Sequence, residues 1–184
     1  MIKGHFEHVK DIKQFYKEIR EVQETAHGEG YCDLHDEIIK KSTECETYRE
    51  LGTMQGATAA CAVVAGYTKL QLVDLDFEQF RPYKHLFDGH DVEMYECDSK
   101  DPKLTTIGNV DLMVIDSYHK GYHTWEELKV HAPYVNKYIL FHDTFKPSDS
   151  VQQAVNQFVM QNANWHIETY SKVNVGYTCI KRDR

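Results

Sequence analysis

The sequence has no apolar run long enough to cross a bilayer. Its longest, Ala57 to Ala65, carries Thr58 and falls well short of the roughly 20 residues that a spanning helix needs. The N-terminus has charged and histidine residues where a signal core would be apolar, so a cytoplasmic protein without a membrane partner is the expectation. Basic clusters are lacking too, apart from the tail residues Lys181, Arg182 and Arg184. With 21 Lys+Arg against 29 Asp+Glu and a formal net charge of -8, nucleic acid is not an expected partner. Cysteine is sparse: Cys32, Cys45, Cys61, Cys97 and Cys179 are odd in number and form no Cys-x-x-Cys. That excludes a disulfide framework and a cysteine-based zinc site, and indicates a reducing compartment. There is no internal repeat, low-complexity tract or long linker. What remains is a chain of 184 residues, 27% charged and 41% hydrophobic, enough for one globular domain with one sizeable core.

Apolar residues Phe6, Val9, Ile12, Phe15, Tyr16 and Ile19 recur at spacings of three and four, the stripe of an amphipathic helix. Gly28 and Gly30 end it, and Asp33 is the expected cap of a second helix through Ile38 and Ile39. Residues 1–45 thus read as an N-terminal helical extension or lid, and 46–184 as the main domain. From there strands and helices alternate. Strands are expected at 47–51, 70–74, 91–96, 110–116 and 137–142. Helices are expected at 57–65, 78–86 and 125–132, with a weaker one near 103–107. A helix over 151–162 then precedes two strands, 165–170 and 175–180, too close together to be joined by a parallel crossover. The fold class is therefore α/β: a Rossmann-like parallel sheet of five strands closed by an antiparallel hairpin.

The most informative segment is Tyr48-Arg-Glu-Leu-Gly-Thr-Met-Gln-Gly56. A strand ending in Glu50 runs into a turn with Gly52 and Gly56, then an alanine-rich helix. Glycine after a strand adopts positive φ and has no Cβ to block a ligand, and the helix N-terminus offers unpaired N–H groups. The Gly-x-x-x-Gly spacing with a preceding acid departs from the Gly-x-Gly-x-x-Gly of dinucleotide binders and suits a ligand carrying an amino group. Other strands also end in acids, at Asp74 and Asp116, and the fifth runs into His142-Asp143. In an open parallel sheet these carboxyl ends share one edge, where ligands bind.

These motifs, in this order from Thr43 onward, resemble class I S-adenosylmethionine (SAM)-dependent methyltransferases. Within that class the chain is similar to the metal-assisted O-methyltransferases of sugars and macrolide sugars and to cephalosporin-hydroxylase-like proteins. The resemblance implies the sheet order 3-2-1-4-5-7-6 and SAM as methyl donor. It puts Glu50, Gly52, Thr53 and Gly56 in the loop around the methionine part, with Glu50 and Gly52 meeting its amino and carboxylate groups. Asp74 would take the ribose hydroxyls, Asp76 being the alternative already in the turn. Asp98, after the third strand, would accept from the adenine amine, and Asp116 borders the same site.

The resemblance further implies that Asp116, His142 and Asp143 hold a divalent metal, Mg²⁺ or Mn²⁺, which polarises the hydroxyls of a small sugar-like acceptor. The related enzymes usually carry a carboxylate where His142 stands, and imidazole makes the set softer, leaving Mn²⁺, another transition metal or no metal at all as the alternatives. His119 matches the general base, facing the acceptor and clear of both SAM and metal. The pair His119 and His123 has zinc-like spacing, but no third ligand accompanies it. Tyr118, Tyr122, Trp125 and Phe145 either wall an acceptor pocket or pack between helix and sheet. With no separate substrate domain, a small acceptor is expected, and a partner subunit could complete so shallow a pocket. The alternatives are a SAM-binding sensor or scaffold without catalysis, and a nicotinamide-dependent enzyme.

Overall fold

The computed structural model describes residues 6–146, 148 and 150–183. Seven strands form one sheet: β1 (Thr47–Leu51), β2 (Lys69–Asp74), β3 (Asp91–Glu96), β4 (Val110–Ile115), β5 (Val135–His142), β6 (Trp165–Ser171) and β7 (Tyr177–Arg182). Their order is β3-β2-β1-β4-β5-β7-β6, as expected. Strands β1 to β5 are parallel, and β7 pairs antiparallel with both β5 and β6.

The helices are α1 (Ile12–His27), α2 (Asp33–Lys41), α3 (Ala57–Ala65), α4 (Gly121–His131) and α5 (Val151–Gln161). Helices α1, α2 and α3 cover one face, where Phe15, Ile19, Ile38 and Ala60 meet Leu70, Leu112, Val114 and Leu140. On the other face α4 and α5 contribute Leu128, Val155 and Phe158 to a core with Val73, Met113, Ile115 and Phe141. Alternate residues of β4 and β5 thus enter opposite cores, so 112–115 of β4 and 138–141 of β5 form unbroken buried runs. The small side chains of α3 let it lie flat on the sheet, with Ala59, Ala60 and Ala62 fully buried.

Several boundaries differ from the sequence expectation. The helix expected over 78–86 is a 3-10 segment, Arg81–Phe87, because Pro82 cannot donate to an α-helical ladder and Phe77, Phe80 and Phe87 anchor the stretch in the core. The segment near 103–107 is likewise a 3-10 helix, Pro102–Thr106, capped by Asp101. Helix α4 starts at Gly121, four residues before Trp125, since a Cβ there would collide with the Ser150 carbonyl at the start of α5. Asp33 opens α2 without capping it and instead accepts a hydrogen bond from Ser171 in β6 (3.1 Å). Strand β7 begins two residues late because Asn174 and Gly176 both take positive φ and lengthen the turn. Among the described residues no helix is long and apolar enough to cross a membrane.

Candidate functional site

At the carboxyl edge of the sheet lies a cavity of about 280 Å³. Gly52, Asp74, Asp98 and Asp116 line it, from the ends of β1, β2, β3 and β4. A larger groove of about 900 Å³ runs along α1, but no strand-end residue lines it. Gly52 has φ 93°, and a Cβ there would run into the backbone of Asp116 and Ser117, so only glycine lets β1 and β4 end side by side. Asp74 Oδ2 accepts from the backbone N–H of Thr53 (2.7 Å) and of Met54 (2.8 Å), fixing the loop against the end of β2. Asp98 accepts from the Lys100 N–H (2.9 Å), a contact that holds its carboxyl below the usual range.

Three residues assigned to the loop site sit elsewhere. Glu50 is 1% exposed, beneath the loop and not on the cavity wall. Burial, and then the neighbouring charges of Asp116 and Asp74, push its carboxyl well above the carboxylate range. Its Oε2 is buried with no hydrogen-bond partner among the described residues. Thr53 is buried and reaches the site through its N–H alone. Gly56 serves packing, since a Cβ would strike the Phe80 ring at 2.7 Å. Asp76 caps its own turn, accepting from Glu78 N–H (3.1 Å).

Beside the cavity Asp116, His142 and Asp143 converge, with one donor atom from each lying within 4.8 Å of the others. His142 Nδ1 is 3.0 Å from Asp116 Oδ1 and 3.2 Å from Asp143 Oδ2. Its Nε2 faces the Tyr31 carbonyl (3.4 Å). Burial alone would depress the His142 pKa, but the two carboxylates outweigh it and raise it to about 10. In return, and against burial, His142 and His119 hold Asp116 far below the ordinary range. Asp143 is lowered as well, by His142 and by Lys146 at 2.7 Å. It has φ 55°, a left-handed conformation that costs roughly 1–2 kcal/mol in a residue with a Cβ. Strain of this kind gathers where geometry serves a site.

His119 belongs to this cluster and does not stand clear of it. Its Nε2 lies 3.1 Å from Asp116 Oδ1 and its Nδ1 3.0 Å from Asp143 Oδ2. Burial opposes protonation, yet these carboxylates raise its pKa. His123 turns the other way, toward Glu127 (3.3 Å) and Ser99 (3.2 Å), so the His-x-x-x-His pair does not form a site. Of the aromatics, Tyr118 lines the cavity, whereas Trp125 packs edge-on against Phe158. Tyr31, from the connection between α1 and α2, sets its ring edge-on to His142 at 5.3 Å. No spacing signal links residue 31 to residue 142, and sequence reasoning missed it. Glu127, one turn along α4 from His123, is visible in sequence only as an acid near the histidine pair; its serine partners are not.

No protein-family model and no curated protein sequence matches the chain. Solved structures do match in fold. An S-adenosylhomocysteine-bound methyltransferase of Podospora anserina, PaMTH1, aligns at TM-score 0.67 with 16% identity, over 82% of this chain and 78% of that one. A candidate caffeoyl-CoA O-methyltransferase of Staphylococcus aureus aligns at TM-score 0.68 with 12% identity, over 97% and 95%. The N-methyltransferase NodS of Bradyrhizobium japonicum aligns at TM-score 0.62 with 9% identity, over 83% and 96%. The fold is that of these methyltransferases, one of them a candidate O- and another an N-methyltransferase.

Proposed function

We propose that the chain is a SAM-dependent methyltransferase acting on a hydroxyl of a small, sugar-like acceptor. One observation carries this: an acidic cavity and a carboxylate–imidazole cluster share one sheet edge through Asp116. Three aspartates and no Lys or Arg line the cavity. A dinucleotide would set its pyrophosphate against that wall, whereas a nucleoside bearing sulfonium and ammonium groups suits it. On this reading the lone pairs that Asp74 keeps beyond its loop contacts take the ribose hydroxyls, and Asp98 takes the adenine amine.

SAM, when bound, supplies a methyl group already activated on sulfur. The chain must then align the acceptor and remove its proton. A divalent metal, when bound, would act as a Lewis acid on the acceptor hydroxyls. Asp116, Asp143 and His142 Nδ1 would hold it, a set of two hard oxygens and one nitrogen suited to Mn²⁺ at least as well as to Mg²⁺. With Nε2–H directed at the Tyr31 carbonyl, Nδ1 is the nitrogen that neutral His142 keeps as a ligand. His119 is the base of this reading: one of its two carboxylate contacts opens so that a neutral ring nitrogen accepts the acceptor's proton, and the carboxylate still paired with the other nitrogen stabilises the imidazolium so formed.

The test is transfer of a labelled methyl from SAM to simple hydroxylated acceptors in the presence of Mn²⁺ or Mg²⁺. Transfer should stop on chelation and in Asp116→Asn. Transfer indifferent to a chelator would remove the metal from the account, and SAM binding without any labelled product would leave a sensor or scaffold.

A further inference from the structure

One buried carboxylate beside the cavity has no part in the chemistry above. Glu127, on α4, is 0% exposed. Its Oε1 accepts from Ser99 Oγ at 2.6 Å and from Ser117 Oγ, and His123 Nε2 lies 3.3 Å away. Ser99, Ser117 and His123 all line the cavity; Glu127 stands behind them. They come from the ends of β3 and β4 and from α4, beside Asp98, where the SAM reading puts adenine.

The proton bookkeeping of this cluster is restrictive. A serine hydroxyl has one proton, and both serines direct theirs at Glu127. The Ser99 oxygen, 3.2 Å from His123 Nε2, is left as an acceptor, so Nε2 carries the histidine's proton. In the neutral ring Nδ1 is then an acceptor as well. Asp98 adds the lone pairs that its carboxylate keeps beyond its contacts with Lys100. The side chains of Ser99, Ser117, His123 and Asp98 therefore offer a ligand lone pairs.

We infer that Glu127 is a positioning residue that orients Ser99, Ser117 and His123 into a wall of acceptor side chains, and so selects a 6-aminopurine over a 6-oxopurine. The amine has two protons to give to such a wall. A 6-oxo group would set its own lone pairs against those of the serines, leaving buried polar atoms unpaired on both sides. The inference rests on the SAM reading.

The test compares S-adenosylhomocysteine with S-inosylhomocysteine, which differ at the 6-position and the adjacent N1 proton, by calorimetric titration of the full chain. The wild type should bind the adenosyl compound at least about tenfold more tightly, the scale of one opposed hydrogen bond. In Glu127→Leu the serine hydroxyls lose their acceptor and turn their protons to the ligand, so the ratio should fall to within about threefold. A Glu127 that only supports the fold would lower both affinities together, and an unchanged ratio overturns the inference. If Glu127→Leu has no cooperative melting transition, the double variant Ser99→Ala/Ser117→Ala takes its place, with the same fall in ratio expected and the same overturning result. A wild type that binds both compounds equally overturns the inference alone. A wild type that binds neither overturns the SAM reading and the inference with it.

Discussion

Asp74 has two tasks at one carboxylate. It pins the loop through Thr53 and Met54 N–H, and in the proposed complex it also receives the ribose. Asp74→Ala should therefore weaken S-adenosylhomocysteine binding by about 1.5–3 kcal/mol, read by calorimetry; unaltered affinity would mean that the nucleoside lies elsewhere. His119 is the second test at this scale. Positioned proton transfer typically contributes ~10²–10⁴-fold, so His119→Ala should lower kcat by about that much while SAM affinity stays within a few-fold. Sequence reasoning expects metal affinity to be untouched as well. The contacts of His119 with Asp116 and Asp143 say otherwise: removing a cation from between two carboxylates should leave Mn²⁺ bound no more weakly than before. A normal kcat in this variant would reduce His119 to a partner of the two aspartates. The same residues mark how far the site was legible. The ends of strands are read from linear order, so Gly52, Asp74, Asp98, Asp116, His142 and Asp143 were found. Glu50 also ends a strand, but linear order does not say that its side chain turns beneath the loop. Tyr31 reaches the site from the turn between α1 and α2 and Glu127 from α4, and only packing reveals their contacts.

At the scale of elements, helix α2 is locked to the sheet through a buried cation. Lys41 is 4% exposed, pairs with Glu37 (3.3 Å) and with Glu168 of β6, and lies 4.2 Å from the centre of the Tyr138 ring. Burial works against its charge, yet Glu168 and then Cys179 and Glu37 hold its pKa above the ordinary value. Lys41→Ala leaves these acids without their cation and should cost about 3–5 kcal/mol in urea denaturation; a loss below about 1 kcal/mol would refute the lock. A second link joins α4 to β1. His131 Nε2 donates to the Ser99 carbonyl (2.7 Å), and its Nδ1 accepts from Arg49 (3.2 Å). Burial, and Arg49 beside it, lower the His131 pKa to about 4, so the unfolded chain takes up this proton first. Its contribution is complete above about pH 6.5, falls as pH drops towards 4, and amounts to at most roughly 3 kcal/mol. Stability measured against pH should fall more steeply over that window in the wild type than in His131→Gln; parallel curves would contradict it. The strands β1 and β3, and α3 with its alanine-rich composition, could be read from sequence to the residue. The boundaries that moved did so where tertiary contact decides, at Pro82 among buried phenylalanines and at Gly121 against Ser150.

Across the whole molecule, five parallel strands deliver their carboxyl ends to one edge, while α1, α2 and the β6–β7 hairpin close one side of it. Asn174 in the hairpin turn donates to the carbonyls of His27 (2.8 Å), Gly28 (3.3 Å) and Glu29 (3.3 Å), which keeps the connection bearing Tyr31 over His142. The N-terminal helices also share a core with α3, so the segment read from sequence as an extension is part of the packed body. Alternation of strands and helices, the closely spaced final pair and the acids at strand ends were enough to read this architecture. The side-chain networks that join distant segments were not, because no local pattern encodes them. The central claim is that the acidic edge receives an S-adenosyl amino acid and no dinucleotide. Calorimetric titration of the chain with S-adenosylhomocysteine and, separately, with NAD tests it most directly. The account predicts saturable binding of one S-adenosylhomocysteine per chain and no heat of binding with NAD; saturation by NAD, or none by S-adenosylhomocysteine, would contradict it.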